Sequence, residues 1–180
     1  MLKKIIILLL LLFSVGCTNT NTATSQVKMY LDSYKNLDIK VLDDLEKQVE
    51  MEELTENQKS TYREIIKKQY KDLSYTIEKE DVKKDYIYVT AKIKVYDLYK
   101  AQSDSSSYLA DNMNKFYDKN GKYNSKKYMD YKLEQMKNMN DKVEYTLVFT
   151  VAKEDDKYTI LQPSEVDLEK IHGIYSYDIN

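Results

Sequence analysis

The sequence predicts an α+β domain in which N-terminal helices pack on a curved four-stranded antiparallel sheet, made of two hairpins joined by a helical crossover. Three observations carry this. Apolar residues recur at helical spacing from residue 27 to residue 73. The period then switches to two over residues 73–77 and 87–95, and a second period-two pair occupies residues 143–161. Helical stripes fill the stretch between the two pairs. The chain of 180 residues is long enough for one ordinary domain, placed at residues 26–180, and not for two.

Val27, Tyr30, Leu31, Tyr34 and Leu37 share one helical face, with Ser25 as the expected N-cap. After Asp38 the pattern resumes at Ile39, Leu42, Leu45 and Val49, separated by acids that read as a solvated face. Thr55-Glu56-Asn57-Gln58 is a capping box, Gln58 reaching back to the Thr55 N–H. The helix it opens presents Tyr62, Ile65, Ile66, Gln69, Tyr70 and Leu73. Leu73, Tyr75 and Ile77 alternate with polar residues, and Ile87, Val89, Ala91, Ile93 and Val95 alternate with Tyr86, Tyr88, Thr90, Lys92 and Lys94. That is a hairpin with one apolar and one wet face. Its second strand, read from residue 85 to about residue 99, exceeds the usual length and is expected to bend or bulge.

Residues 102–107 read as a Ser-rich connector, followed by a short helical stripe of Leu109, Met113, Phe116 and Tyr117 that stops at the turn signal Asn120-Gly121. Asn124 or Ser125 can cap a further helix presenting Met129, Leu133 and Met136. Val143, Tyr145, Leu147, Phe149 and Val151 form the third strand, Glu154-Asp155-Asp156 the turn, and residues 158–161 the fourth. Ser164 opens one or two helical turns closed by Gly173.

Composition excludes several function classes. A formal charge of −2, with both signs mixed along the chain, lacks the basic footprint of a nucleic-acid binder. Three glycines leave little from which to build a phosphate-cradling loop. The single Cys excludes an intramolecular disulfide and the single His excludes most zinc sites, so no metal and no cofactor is expected.

The N-terminus has a charged start at Lys3-Lys4, an apolar run from Ile5 to Phe13, and small residues at Ser14, Val15 and Gly16 before Cys17. The run is too short to span a bilayer, which takes about 20 apolar residues. The segment Ser14-Val15-Gly16-Cys17 resembles the lipobox of bacterial lipoproteins, with Ser14 where the family most often has Leu. The resemblance implies a signal peptide at residues 1–16, a diacylglyceryl group on the Cys17 thiol, and a domain held at the extracytoplasmic face of a bacterial cell membrane. Residues 17–25 then form the lipidated Cys and a polar tether, of which residues 18–25 reach roughly 25 Å when extended. Lys3 and Lys4 leave with the leader, taking the formal charge from −2 to −4, so the domain is mildly acidic and as a whole is not expected to be drawn to anionic lipid.

The order of elements over residues 26–163 resembles the nuclear-transport-factor-2-like and cystatin-like superfold. That resemblance implies a pocket between the helices and the concave face of the sheet, and it implies no particular activity. Tyr75, Ile93, Tyr145 and Phe149 are the candidate pocket residues. On the opposite face Tyr86, Tyr88, Lys92, Lys94 and Tyr96 interleave rings with positive charge, a candidate contact surface for sugar, teichoic acid or an acidic protein.

Reactive constellations are scarce. The run from Asp118 opens like a calcium loop, but its sixth and twelfth positions are Tyr123 and Met129 rather than Gly and Glu, so it reads as a plain turn. His172 lies near a helix C-terminus, where partial charge suits the dipole. The sequence therefore points to a lipid-anchored, non-catalytic binding module, with the membrane as one partner through Cys17 and a small apolar ligand or an envelope protein as the other. The alternatives are an isomerase or hydratase using a Tyr and a carboxylate, and a structural subunit of an envelope complex.

Overall fold

A computed structural model describes residues 21–177; Cys17, the leader and the start of the tether lie outside the described residues. Helix α1 (Ala23–Lys35) begins earlier than expected, because Thr22 and not Ser25 is its N-cap. The Ser25 N–H donates to Thr22 Oγ1 at 3.1 Å, and the Thr22 N–H donates to Ser25 Oγ at 2.9 Å. This reciprocal cap, worth about 1 kcal/mol, draws residues 23–25 into the fold.

Leu37 turns the chain through the left-handed region, φ 54°, into α2 (Ile39–Met51). The buried stripe of α2 is Val41, Leu45 and Val49, so Ile39, expected on it, is 80 % exposed. The acids of α2 are largely paired. Glu46 and Glu50 reach Arg63 of α3 (Glu56–Lys71) at 2.6 and 3.1 Å, and Asp44 holds Lys40 and Lys47. The capping box of α3 forms as read, the Thr55 N–H donating to Gln58 Oε1 at 3.0 Å.

Strands β1 (Ser74–Val82), β2 (Tyr86–Tyr96), β3 (Lys142–Glu154) and β4 (Lys157–Ile160) make one antiparallel sheet in the order β1-β2-β3-β4. The expected irregularity falls in β1, as a register shift between Ile77 and Lys79, and not in β2. β2 stops at Tyr96 because Asp97 caps α4 (Leu98–Asp111), its Oδ1 accepting from the Lys100 N–H at 3.0 Å. That helix runs straight through residues 102–107, which were expected as a connector. Two of its serines bond back to the helix: Ser105 Oγ donates to the Ala101 carbonyl at 2.6 Å and Ser106 Oγ to the Gln102 carbonyl at 3.0 Å. Burial of Leu98, Ala101 and Ser105 then overrides the weak helix preference of serine.

A 3-10 turn (Met113–Phe116) leads to α5 (Ser125–Asn138), capped by Asn124, whose Oδ1 accepts from the Lys127 N–H at 3.0 Å. The run from Asp118 is a turn, as read, with Gly121 at φ 76°. The chain ends its helices with α6 (Glu165–His172), capped by Ser164 and closed by Gly173 at φ 72°.

Helices α1 and α3 cover one face of the sheet. Val27 and Leu31 of α1 and Ile66 and Tyr70 of α3 are buried with Val89, Ala91, Ile93, Leu147 and Phe149 in one core. Each of the Val, Leu, Ile and Phe side chains among them contributes about 1.5–3 kcal/mol by leaving water. α5 packs on α3 and α4 on α5, extending the helical layer to one side.

Candidate functional site

The residues expected to form a pocket are brought together by the sheet register and then packed over. Tyr75, Ile93 and Tyr145 occupy one cross-strand row, and Phe149 pairs with Val89 further along. Ile93 and Phe149 are buried in the core. The Tyr75 hydroxyl donates to Asp32 Oδ1 of α1 at 2.9 Å, and burial followed by that carboxylate pushes its pKa up to about 12. The Tyr145 hydroxyl is buried and makes no hydrogen bond among the described residues. Burial, then the charge of Asp97, pushes its pKa up to about 12. Tyr75 is thus engaged by a carboxylate while the Tyr145 hydroxyl is not, and none of the four residues lines the open cleft.

That cleft, of about 810 Å³, lies between α1, α2, α6 and the segment after β4. α1 contributes Tyr30, Ser33 and Tyr34, α2 contributes Val41, Leu45 and Gln48, and α3 contributes Tyr70. Ile160, Leu161 and Pro163 form one wall, with Leu168 and His172 of α6 beside them. The floor is a chain of rings. Tyr30 and Tyr34 meet edge to face at 5.4 Å, Tyr34 and Tyr70 at 5.0 Å, and Tyr70 lies 5.6 Å from the His172 imidazole. The Tyr30 and Tyr34 hydroxyls share a hydrogen bond of 3.0 Å.

Electrostatically the floor is neutral and the mouth is charged. Burial raises the Tyr30, Tyr34 and Tyr70 pKa values above the usual phenol range. Burial also lowers the His172 pKa to about 4, so the imidazole is uncharged at neutral pH and the dipole-assisted charge expected from its position at the end of α6 does not develop. At the mouth Lys40 and Asp44 pair at 2.8 Å, Asp44 being held below its usual range by Lys40 and then Lys47. Such a floor can hold an apolar body and hydrogen-bond a neutral group. It is poorly matched to proton transfer, because an imidazole with a pKa near 4 is a weak base and a phenol with a raised pKa is a weak acid at neutral pH.

Sequence reading put these residues in the core stripes of their helices. The available signal was that the stripes of α1 and α3 use Tyr where aliphatic residues would fill space more simply, at Tyr30, Tyr34 and Tyr70. A second depression of about 410 Å³, between α3 and α5, is lined mostly by amide and charged side chains, among them Asn57, Gln58, Asp130 and Lys137.

Tyr86, Tyr88, Lys92, Lys94 and Tyr96 share one face of β2, as alternation requires, but Tyr96, at its end, is half-buried against α3. Much of their charge is met within the chain. Lys92 pairs with Glu78 at 3.3 Å and Lys94 with Glu144 at 3.8 Å. The Tyr96 hydroxyl donates to Asp72 at 2.8 Å while Lys68 and Lys142 flank its ring at 4.5 and 4.7 Å. Among the described residues no group of three His, Cys, Asp or Glu gathers as a metal site, and no helix is long and apolar enough to cross a membrane.

No family model matches the chain, and no curated protein is significantly similar to it in sequence. Among solved structures it is similar to YcdA of Bacillus subtilis strain 168, described as a candidate lipoprotein, at 13 % identity and a TM-score of 0.43. The match covers 84 % of this chain and 47 % of that one, so the chain spans about half the length of that protein.

Proposed function

We propose that this protein is a lipid-anchored, extracytoplasmic binding module that holds a small, largely apolar ligand without transforming it. The observation that carries the reading is the neutral, ring-lined floor of the cleft beneath a charged mouth. Its volume falls within the range of small-molecule sites. The anchor rests on Ser14-Val15-Gly16-Cys17 following a short apolar run. The likeness to the nuclear-transport-factor-2-like and cystatin-like superfold is part of the same proposal, with one difference. The pocket over the concave face is closed by Val27, Leu31, Ile66 and Tyr70, so the ligand site is displaced toward α2 and α6.

The test is the intact mass of the protein taken from its native membrane, beside a Cys17→Ala variant, together with native mass spectrometry to detect a retained molecule. A diacylglyceryl mass on Cys17 and a co-purifying small molecule are expected. An unmodified Cys17 removes the anchor. A lipidated protein that neither retains nor takes up apolar compounds transfers the function to a protein partner, with the Tyr86, Tyr88 and Lys92 face as the first surface to map.

A further inference from the structure

The connection between α4 and α5 concentrates positive charge on a firmly built tip. Residues 112–127 carry Lys115, Lys119, Lys122, Lys126 and Lys127 against the single acid Asp118. The Asp118 carboxylate is engaged with the turn itself, Oδ1 accepting from the N–H of Asn120 at 2.7 Å and of Lys122 at 2.9 Å. Among the described residues Lys119, Lys122, Lys126 and Lys127 make no ion pair, as is true of several lysines elsewhere; what marks the tip is that they are gathered in one short segment. Lys126 and Lys127 also sit in the first turn of α5, which contains no acid. The helix dipole disfavours cations there. A placement that works against local stability needs a reason elsewhere.

The tip has a definite shape. Tyr117 and Tyr123 are antiparallel bridge partners, which project their side chains to the same face. The turn between them is closed by the Asp118 N–H on the Lys122 carbonyl at 2.8 Å and the Gly121 N–H on the Asp118 carbonyl at 3.1 Å. Below it Phe116 is buried among the rings of Tyr108, Tyr128 and Tyr131, at 5.5–6.3 Å. Tyr117 and Tyr123 are 39 % and 47 % exposed, and Met113, at the start of the 3-10 turn that precedes them, is exposed too.

Paired rings beside unpaired lysines are the chemistry of a bilayer interface. Rings lie at the level of the headgroups and ammonium groups reach lipid phosphates. We propose that the tip formed by residues 112–127 docks on an anionic lipid surface, giving the domain a second point of contact and a fixed orientation. The exposed rings favour a bilayer over a soluble polyanion, for which lysines alone would serve. The proposal rests on membrane attachment through Cys17.

The mature, lipidated protein is reconstituted in vesicles with an Asn120→Cys substitution carrying a nitroxide label, Cys17 being blocked by its lipid. The label is expected to contact the bilayer in vesicles rich in phosphatidylglycerol, with contact falling about fivefold or more on pure phosphatidylcholine or when Lys119, Lys122, Lys126 and Lys127 are all changed to Gln. The Gln variant should unfold no earlier than its parent, since its changes are exposed and relieve the start of α5. Equal contact on both lipids, or in both proteins, overturns the proposal. So does a label that responds to added poly(glycerol phosphate) and not to lipid composition. Failure of the anchor itself is read separately, as absence of the diacylglyceryl mass and of vesicle-bound protein.

Discussion

The side-chain amide of Gln69 completes the end of β2 by pairing with both backbone groups of Tyr96. Its Oε1 accepts from the Tyr96 N–H at 2.8 Å and its Nε2 donates to the Tyr96 carbonyl at 3.1 Å. Gln69 is fully buried, and Gly173 lies so close that a Cβ there would stand 2.2 Å from both Gln69 Nε2 and the Tyr96 oxygen. Gln69→Leu keeps the volume but strands two backbone groups, and a loss of about 2–4 kcal/mol is expected in urea unfolding. Gly173→Ala should be destabilised by at least about 1–3 kcal/mol, because it adds that clash to a left-handed backbone.

Stability should depend on pH through His172. Its pKa is about 4 in the folded protein, against an ordinary value of 6.5. Below pH 6.5 the unfolded chain binds a proton that the folded one refuses until about pH 4. The contribution of the neutral imidazole is thus complete above pH 6.5 and declines as pH falls toward 4, by about 3 kcal/mol in all. Carboxylates titrate in the same range, so the quantity to measure is the difference in unfolding free energy between the protein and His172→Phe. The variant should gain on its parent as pH falls from 6.5 to 4; a constant difference would mean that the imidazole titrates freely.

Asp97 joins two parts of the chain. It caps α4 through the Lys100 N–H and accepts a hydrogen bond from the Tyr177 hydroxyl. Asp97→Ala removes the cap and the tyrosine's partner together, and a loss of about 2–4 kcal/mol is expected. Hydrogen exchange should show faster opening of residues 98–107 than of α3. Unchanged protection there would mean that packing alone holds the serine-rich helix.

Occupancy of the cleft can be blocked without touching the core. Gln48 lines it and is half-buried. Gln48→Trp should fill part of the space, leave unfolding within about 1 kcal/mol of the parent, and weaken uptake of an apolar fluorescent probe about tenfold or more. Tyr30→Phe should weaken uptake less, since it removes one hydroxyl and keeps the ring. Equal uptake in all three proteins would place the probe elsewhere.

Most of the architecture was legible because period and burial agree. β2 alternates over its whole length, and its inward residues Ile87, Val89, Ala91, Ile93 and Val95 are all buried. The box Thr55–Gln58 and the stop at Gly173 are local devices that read directly. The serine-rich helix was not legible, since serine has weak helical preference and only tertiary burial of Leu98, Ala101 and Ser105 decides it. The cleft was hidden for a related reason. A ring facing a cavity and a ring facing a core have the same periodicity, and the turn at Leu37 that carries α2 to the mouth leaves no pattern in the sequence.

The contacts made by residues 173–177 also join parts of the chain that are distant in sequence. The Gly173 carbonyl accepts from the Tyr99 N–H at 2.8 Å, Tyr175 packs against Tyr145 at 5.8 Å, and Tyr177 reaches Asp97. Each ties residues 173–177 to the junction of β2, α4 and β3, contacts of long sequence separation whose loop-closure cost precedes their reward. The junction therefore opens as one unit, so that whatever loosens residues 173–177 loosens the start of α4 with them.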